Sequence, residues 1–223
     1  MNNQIPQNNG DVARFIEANK VIVICRGIYD EDLLKLSDAL YAGGVRLIEV
    51  TFDQSAPDCM EKTAQAIRSL HAHHQGRMCF GAGTVLSAAQ VKCAYEAGAS
   101  YIISPNVNVD VIKETKALGL VSMPGAMTPT EILVAHDTGA DFVKLFPATT
   151  LGFKYIKDIQ GPISHVKLIA TGGVTEENFP EYLSLHFAGA GISGRLADKK
   201  LIAEGDFATI TARAKAFIDI AKG

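Results

Sequence analysis

The feature that most constrains the fold is a unit that recurs along the chain, in which a helical stretch ends in glycine and a short apolar strand follows. Gly43-Gly44, Gly98, Gly119 and Gly139 each stand at such a junction. A glycine just past a helix end adopts the left-handed conformation that closes the last turn. The strands that follow are short and rich in Val and Ile, which is typical of parallel strands that are buried on both faces.

Repetition of this unit predicts a barrel. The predicted strands are Val21–Cys25, Arg46–Thr51, Met78–Gly81, Tyr101–Ser104, Leu120–Met123, Asp141–Phe146, Val166–Ala170 and Phe187–Gly191. Eight strands alternating with helices, in units of about 24 residues, predict a (β/α)8 barrel, an α/β fold. The alternative is an open, doubly wound sheet, but no glycine-rich dinucleotide motif follows the first strand. We therefore expect one barrel domain over residues 12–223, preceded by a disordered polar leader over residues 1–11.

Composition excludes several classes of function. The 223 residues carry a net charge of -3, so no global basic field exists to hold nucleic acid. The longest apolar run is about six residues, whereas a membrane span needs about 20. The polar N-terminus lacks the basic start and apolar core of a signal peptide. The sequence therefore predicts a cytoplasmic protein with no nucleic-acid or membrane partner.

Cysteine and histidine residues give no metal signal. The four cysteines form no CxxC pair, so a zinc site is not expected and the thiols are expected to be reduced. The run His71-Ala72-His73-His74 is predicted to lie in a polar loop after a helix, at the opposite end of the barrel from the chemistry. The remaining histidines show no mutual ligand spacing. The sequence therefore predicts no metal and no cofactor.

Two charged residues are predicted inside the apolar barrel. Strand residues alternate between the inner and the outer face, so outward Ile48 and Val50 place Glu49 inward, and outward Val143 and Leu145 place Lys144 inward. A structural ion pair is the alternative, but desolvation makes such a pair a poor source of stability. An amine whose pKa is lowered by burial can form a Schiff base with a carbonyl, and a nearby carboxylate can move the protons. Both side chains are predicted near the C-terminal strand ends, where barrel enzymes hold their catalytic groups.

Further candidate binding residues lie at the same end of the barrel. Glycine-rich segments follow the last two strands, at Gly172-Gly173 and at Ser193-Gly194, and loops at these positions hold phosphate in many barrels. Tight turns are the alternative for these glycines. Thr84 offers a hydroxyl at the exit of the third strand. Arg26 ends the first strand and can take a carboxylate or phosphate in a fork, with a rim salt bridge as its alternative.

The chain also resembles a known family along nearly its whole length from Val21. The segments that carry the resemblance are Gly44–Thr51, Gly81–Val85, Ile103–Pro105, Met123–Glu131, Val143–Ala148 and Thr171–Val174. They resemble, in order, the strand and loop motifs of the 2-keto-3-deoxy-6-phosphogluconate aldolase and 4-hydroxy-2-oxoglutarate aldolase family. The members of this family are class I aldolases of the Entner–Doudoroff type.

The resemblance implies a role for each candidate residue. Lys144 corresponds to the lysine that forms the Schiff base with pyruvate, and Glu49 to the general acid/base. The resemblance also implies that Thr84 contacts the pyruvate carboxylate and that Phe146 packs against the carbon chain of the substrate. It further implies a homotrimer that acts on a phosphorylated keto acid and on pyruvate.

Two positions depart from the family pattern. Many members carry an Arg that binds the pyruvate carboxylate where this chain has Asp53, and Arg26 is expected to serve instead. Members often read Gly-Ser where this chain reads Ser193-Gly194, and the adjacent Arg195 offers a positive charge there. The departures bear more on the identity of the substrate than on the imine chemistry.

The sequence supports three hypotheses of function. The first is an aldolase that cleaves a 2-keto-3-deoxy-6-phospho sugar acid to pyruvate and glyceraldehyde 3-phosphate, or a 4-hydroxy-2-oxoglutarate or 6-phosphogalactonate-type aldolase. The second is a phosphate-binding isomerase or synthase, which pyruvate would not trap covalently. The third is a non-catalytic barrel that binds a sugar acid or phosphate.

Overall fold

A computed structural model describes residues 8–223. The strands are β1 (Val21–Cys25), β2 (Leu47–Thr51), β3 (Cys79–Gly83), β4 (Tyr101–Ile103), β5 (Val121–Met123), β6 (Gly125–Ala126), β7 (Val143–Leu145), β8 (Leu168–Thr171) and β9 (Gly189–Ile192). All pair in parallel, in the order β5-β4-β3-β2-β1-β9-β8-β7-β6. Each predicted strand is present: β1 has the predicted ends, and the ends of the others differ by at most two residues.

Strands β5 and β6 are two halves of one barrel strand, interrupted at Pro124. Proline has no N–H to give to a sheet ladder, but the carbonyl of Pro124 still accepts a hydrogen bond from the backbone N–H of Lys144, at 2.9 Å. β5 pairs with β4 while β6 pairs with β7, so this strand joins the two ends of the sheet. The barrel is therefore closed with eight strands, which confirms the predicted (β/α)8 fold.

The helices cover the outside of the barrel, apart from the first. They are α1 (Asn9–Asn19), α2 (Asp30–Ala42), α3 (Cys59–His74), α4 (Ala88–Glu96), α5 (Val109–Ala117), α6 (Pro129–Asp137), α7 (Ala148–Gln160), α8 (Phe179–Ser184), α9 (Lys199–Glu204) and α10 (Phe207–Lys222). Among the described residues, none of these helices combines the length and the apolar composition needed to cross a membrane.

Helix α1 corrects the predicted boundary of the leader. The Asn8 side chain accepts a hydrogen bond from the backbone N–H of Asp11, so the helix is capped and begins within the range predicted to be disordered. Val12 and Ile16 on its buried face join the apolar cluster inside the barrel. Residues 1–7 of the predicted leader lie outside the described residues.

The two faces of the strands contribute to two apolar clusters. The larger cluster lies between the strands and the helices and contains Ile48, Val50, Val143 and Leu145. The smaller cluster fills the barrel interior and contains Leu47. The predicted alternation is therefore confirmed, and it leaves the residues between these outward positions on the inner face.

The histidine run lies elsewhere than predicted. His71 to His74 form the last turn of α3 and not a loop after it. His73 shares a hydrogen bond with Asp38 at 2.8 Å, and the buried His74 ring shares one with Ser37 at 2.7 Å, so both rings tie α3 to α2. The possible ligand atoms of Asp38, His73 and His74 lie within 4.8 Å of one another, which is close enough for a metal site. Burial and nearby positive charges lower the pKa of His74 to about 4, and the same positive charges disfavour a bound cation.

Candidate active site

A cavity of about 710 Å³ opens at the C-terminal ends of the strands. The residues that line it are Ile24, Arg26, Thr84, Pro105, Lys144, Phe146, Thr171, Gly172, Gly173, Val174, Thr175, Gly191, Ser193, Gly194 and Arg195. Every site residue predicted from the sequence is among them except Glu49, which is buried beside the lining. The barrel thus brings together residues that are far apart in the chain, such as Ile24 and Ser193, which are separated by 169 positions.

Lys144 is the lysine of this cavity. It lies in the middle of β7, with only 7% of its surface exposed, and its Nζ is 4.8 Å from the centre of the Phe146 ring. Burial lowers the pKa of the amine, and the positive charge of Arg26 lowers it further, while the Glu49 carboxylate opposes both effects. A lowered pKa leaves more of the amine unprotonated near neutral pH, which is the form that attacks a carbonyl.

Glu49 lies in the middle of β2 and is 1% exposed. Burial raises the pKa of its carboxyl group, and the positive charges of Lys144 and Arg26 partly offset that rise. Within the described part of the chain, its Oε2 atom is buried and has no hydrogen-bond partner. A buried carboxyl group with a raised pKa and a free oxygen, next to a buried amine, can both take up and release a proton.

Gly83 makes the position of Glu49 possible. A Cβ atom at Gly83 would overlap the Glu49 carboxylate, so only glycine leaves room for this side chain at the end of β3. The Gly81-Ala82-Gly83 run therefore does more than permit approach of a ligand to the strand exit. It also shapes the space in which the carboxylate lies.

Arg26 and Asp53 lie differently with respect to the cavity. Arg26 follows β1 and lines the cavity. Asp53 is exposed and is absent from the lining, and its carboxylate accepts hydrogen bonds from the Oγ and the backbone N–H of Ser55, at 2.6 and 3.1 Å. These hydrogen bonds lower the pKa of Asp53. Arg26 thus offers a hydrogen-bond donor for an anion at the cavity. The Asp53 carboxylate is turned toward its own loop.

Another part of the cavity is built from the two predicted glycine-rich segments. Gly172 and Gly173 have φ values of +95° and +77°, a conformation that favours glycine. Thr149 holds this loop, since its Oγ1 donates to the carbonyl of Gly172 at 2.9 Å. Ser193 and Gly194 follow β9 and also line the cavity. Exposed backbone at two converging loops is an arrangement that suits an anion.

Arg195 forms an ion pair that the sequence analysis did not predict. Its guanidinium donates to both carboxylate oxygens of Glu176, at 2.9 and 3.1 Å. The pair lies at the glycine-rich end of the cavity, where Arg195 belongs to the lining. The positive charge expected beside Ser193-Gly194 is therefore present but is partly neutralised.

Thr171 is a lining residue that the sequence analysis did not single out. It is buried at the end of β8 and lies two residues after Ile169, which belongs to the cluster inside the barrel. The strand alternation that identified Glu49 and Lys144 would have placed the Thr171 hydroxyl on the inner face too.

Pro105 and Thr175 also line the cavity from loops, where no periodicity indicates which way a residue points.

Comparison with known proteins identifies the family. Residues 12–213 match the family model "Aldolase: KDPG and KHG aldolase". A 2-dehydro-3-deoxy-phosphogluconate aldolase of Haemophilus influenzae is 33% identical over 193 residues, which cover 86% of this chain and 88% of that protein. A probable 2-dehydro-3-deoxy-6-phosphogalactonate aldolase of Rhizobium meliloti is 34% identical over 79% of this chain and 81% of its own.

A solved structure agrees with these sequence relatives. It is the KDPG aldolase of Legionella pneumophila with pyruvate captured as a covalent carbinolamine, which superimposes with a TM-score of 0.81 at 28% identity. The match covers 92% of this chain and 97% of that one. The resemblance seen in the sequence motifs is confirmed: the chain belongs to the KDPG and KHG aldolase family and is an enzyme, a lyase.

Proposed function

We propose that this enzyme is a class I aldolase that cleaves a 2-keto-3-deoxy-6-phospho sugar acid to pyruvate and glyceraldehyde 3-phosphate. The observation that carries the proposal is the buried amine of Lys144 at the cavity, with its lowered pKa and with the buried Glu49 carboxyl group nearby. The family supplies the reaction type, and the relatives supply the substrate class.

Lys144 forms the covalent link in this mechanism. Its unprotonated amine attacks the C2 carbonyl of the substrate, and the resulting carbinolamine loses water to give a protonated imine. The imine carbon is electron-poor and accepts the electron pair of the C3–C4 bond when that bond breaks. Because the imine provides this electron sink, the cleavage requires neither a metal ion nor a cofactor.

Glu49 moves the protons. As an ionised carboxylate it removes the proton of the C4 hydroxyl, directly or through one water, so that C4 leaves as an aldehyde. The remaining enamine of pyruvate then takes a proton at C3, and hydrolysis of the imine releases pyruvate and restores the amine. The raised pKa of Glu49 suits a group that must both accept and donate a proton near neutral pH.

The lining of the cavity offers groups for both charged ends of this substrate. Arg26 and Thr84 offer donors for the carboxylate, and Phe146 offers an apolar face beside the carbon chain. Gly172, Gly173, Ser193 and Gly194 offer backbone and hydroxyl groups for the phosphate.

Pyruvate trapping tests the proposal. Incubation with pyruvate and borohydride is expected to reduce the imine, and the mass of one reduced pyruvate adduct is expected on the peptide that contains Lys144. Borohydride without pyruvate is the control. An unmodified Lys144 peptide, or an adduct on another lysine, would contradict the mechanism.

A substrate panel tests the substrate class. Relatives named for the gluconate and for the galactonate substrate are 33% and 34% identical to the chain, so overall identity does not separate them. We expect both phosphorylated epimers to be cleaved with a higher kcat/KM than 4-hydroxy-2-oxoglutarate, because the second carboxylate of that compound, at C5, carries less charge and reaches less far than a phosphate on C6. Preference for 4-hydroxy-2-oxoglutarate would contradict the phosphate assignment.

Arg26→Ala is expected to raise the KM for pyruvate about tenfold or more, since a charged hydrogen bond contributes about 1.5–3 kcal/mol. Arg26 also lowers the pKa of Lys144, so its loss is expected to move the acid limb of imine formation to higher pH. Steady-state kinetics and the pH dependence of pyruvate trapping measure the two effects. Arg195→Ala is the matched control, because this second arginine of the cavity lies at the phosphate end.

Asp53→Arg is the companion variant, because it introduces the residue found in many relatives. Added positive charge at the rim is expected to tighten pyruvate binding. Unchanged pyruvate affinity in Arg26→Ala, together with weaker affinity in Asp53→Arg, would show that the cavity is built for a ligand with a different charge pattern.

We further propose that the enzyme works as a homotrimer in the cytoplasm, with small-molecule partners only. The trimer rests on the family resemblance, and a mass of three chains by light scattering is expected. The compartment rests on the cysteines, since the structure has free thiols at Cys25, Cys59, Cys79 and Cys93, which are typical of a reducing environment.

A further inference from the structure

Thr84 has an unusual backbone conformation. Its φ is +55°, in the left-handed region, which a β-branched residue rarely adopts. Such a conformation costs about 1–3 kcal/mol and persists only where the surroundings enforce it. Thr84 also lines the active-site cavity. Neighbouring groups therefore have to stabilise this backbone conformation of Thr84.

Two glutamine side chains connect the backbone on either side of Val85. The Nε2 of Gln54 donates to the carbonyl of Thr84 at 2.7 Å, and the Oε1 of Gln54 accepts from the Nε2 of Gln90 at 2.9 Å. The Oε1 of Gln90 accepts from the backbone N–H of Leu86 at 2.7 Å. The two carboxamides form an unbroken chain of hydrogen bonds, which we name the glutamine relay.

Helix capping explains only part of this arrangement. Ser87 caps α4 by accepting from the N–H of Gln90, and a glutamine at this position often reaches back to the backbone N–H of the capping residue. In this chain the Gln90 carboxamide reaches Leu86, one residue before the cap. Its NH2 group, which a cap does not need, donates to Gln54 from the loop after β2. Gln90 is 7% exposed and Gln54 is exposed, so the hydrogen bond between the two carboxamides is partly buried.

We propose that Gln54 and Gln90 are positioning residues that hold the Thr84 hydroxyl where it receives the carboxylate of the keto acid. The inference rests on the proposed function, because it takes Thr84 as a contact of that carboxylate. The relay links the exits of β2 and β3, so it fixes Thr84 relative to the strand that carries Glu49. Its loss lets the backbone at Thr84 relax and weakens carboxylate binding, while the amine of Lys144 keeps its reactivity.

The test uses Gln54→Ala, Gln90→Ala and the double variant. We expect each single variant to raise the pyruvate concentration for half-maximal borohydride trapping on Lys144 by about five- to tenfold, with a smaller change in kcat. The double variant is expected to match the single variants, since residues in one network are not additive. Gln160→Ala is the matched control: this glutamine donates to the carbonyl of Leu185 at 2.7 Å and lies outside the cavity lining.

Gln90→Glu separates the relay from helix capping. The carboxylate keeps an acceptor for the Leu86 N–H but has no donor for Gln54. We expect this variant to behave like Gln90→Ala in pyruvate trapping while it keeps the thermal stability of the wild type. Pyruvate half-saturation at the wild-type value in Gln90→Glu would show that Gln90 only caps the helix, and would overturn the proposal.

A ketone without a carboxylate, such as hydroxyacetone, supplies the second readout. We expect the relay variants to trap hydroxyacetone as the wild type does, because no carboxylate has to reach Thr84. Equal losses with pyruvate and hydroxyacetone would indicate general damage to the cavity and would overturn the proposal. Absence of pyruvate trapping in the wild type would instead contradict the proposed function itself, so the two failures are distinguishable.

Discussion

Lys144→Arg is expected to abolish both cleavage of the phosphorylated sugar acid and pyruvate trapping. Arginine stays protonated at every relevant pH and cannot form the imine, although it keeps the positive charge. The effect is expected on kcat, to the detection limit of a coupled assay for pyruvate. Cleavage near the wild-type rate would contradict the Schiff-base mechanism.

Two further variants test whether the loss of activity in Lys144→Arg could come from misfolding. Lys144→Met has a similar length and carries no charge, so it removes the desolvation cost of the buried ammonium group. It is expected to fold and to be inactive. Lys116→Arg changes a half-buried lysine that pairs with Asp141 just before the same strand, and it is expected to retain full activity. Similar losses in the Lys116 variant would point to the strand and not to the amine.

Strand alternation explains why the placement of Glu49 and Lys144 could be predicted from the sequence. A period of two residues fixes the face of every side chain once one apolar face is known. Ile48 with Val50, and Val143 with Leu145, pack against the helices, and the charged residue between each pair has only the barrel interior left. This alternation applies inside strands, where the extended backbone determines the face on which each side chain lies. The roles assigned to these two residues remain predictions.

Other features depend on local hydrogen bonds that periodicity does not describe. The predicted fifth strand ended at Met123, because Pro124 reads as a strand end, yet its carbonyl allows Gly125–Ala126 to continue the ladder. The first turn of α1 falls within the predicted leader, because the apolar residues that pack this helix against the barrel begin only at Val12. In both cases a backbone or side-chain oxygen accepts a hydrogen bond that sequence periodicity does not indicate.

Residues at the cavity rim show the same limit. Asp53 turns toward Ser55 because two short-range hydrogen bonds hold it there, and Arg195 pairs with Glu176 from a different loop. The left-handed conformation of Thr84 runs against the preference of a β-branched residue, so its sequence predicts the opposite. Such exceptions concentrate at functional sites, where the surrounding structure enforces what the local sequence disfavours.

Glu49→Gln is expected to slow proton exchange at the pyruvate methyl group by about 10²-fold or more, the usual size of a general acid–base contribution. Glutamine has nearly the same shape, so the space left by Gly83 stays filled and the fold is retained. Imine formation is expected to persist. The Glu49 carboxylate raises the pKa of Lys144, so its removal is expected to move the acid limb of pyruvate trapping to lower pH, opposite to the shift expected for Arg26→Ala.

The two readouts together separate a proton-transfer role for Glu49 from that of a counter-ion. A counter-ion affects the pKa of Lys144 but not the exchange rate of the imine once it has formed, so unchanged exchange with a shifted acid limb would leave Glu49 with an electrostatic role only. Glu49→Asp keeps the carboxylate but withdraws it by one methylene, and it is expected to retain more proton exchange than Glu49→Gln.

Glu131→Gln is the control for loss of a carboxylate with a structural role, because Glu131 accepts hydrogen bonds from the backbone N–H groups of Met127 and Thr128 at the start of α6. Its exchange rate is expected to equal that of the wild type, since the helix cap takes no part in proton transfer.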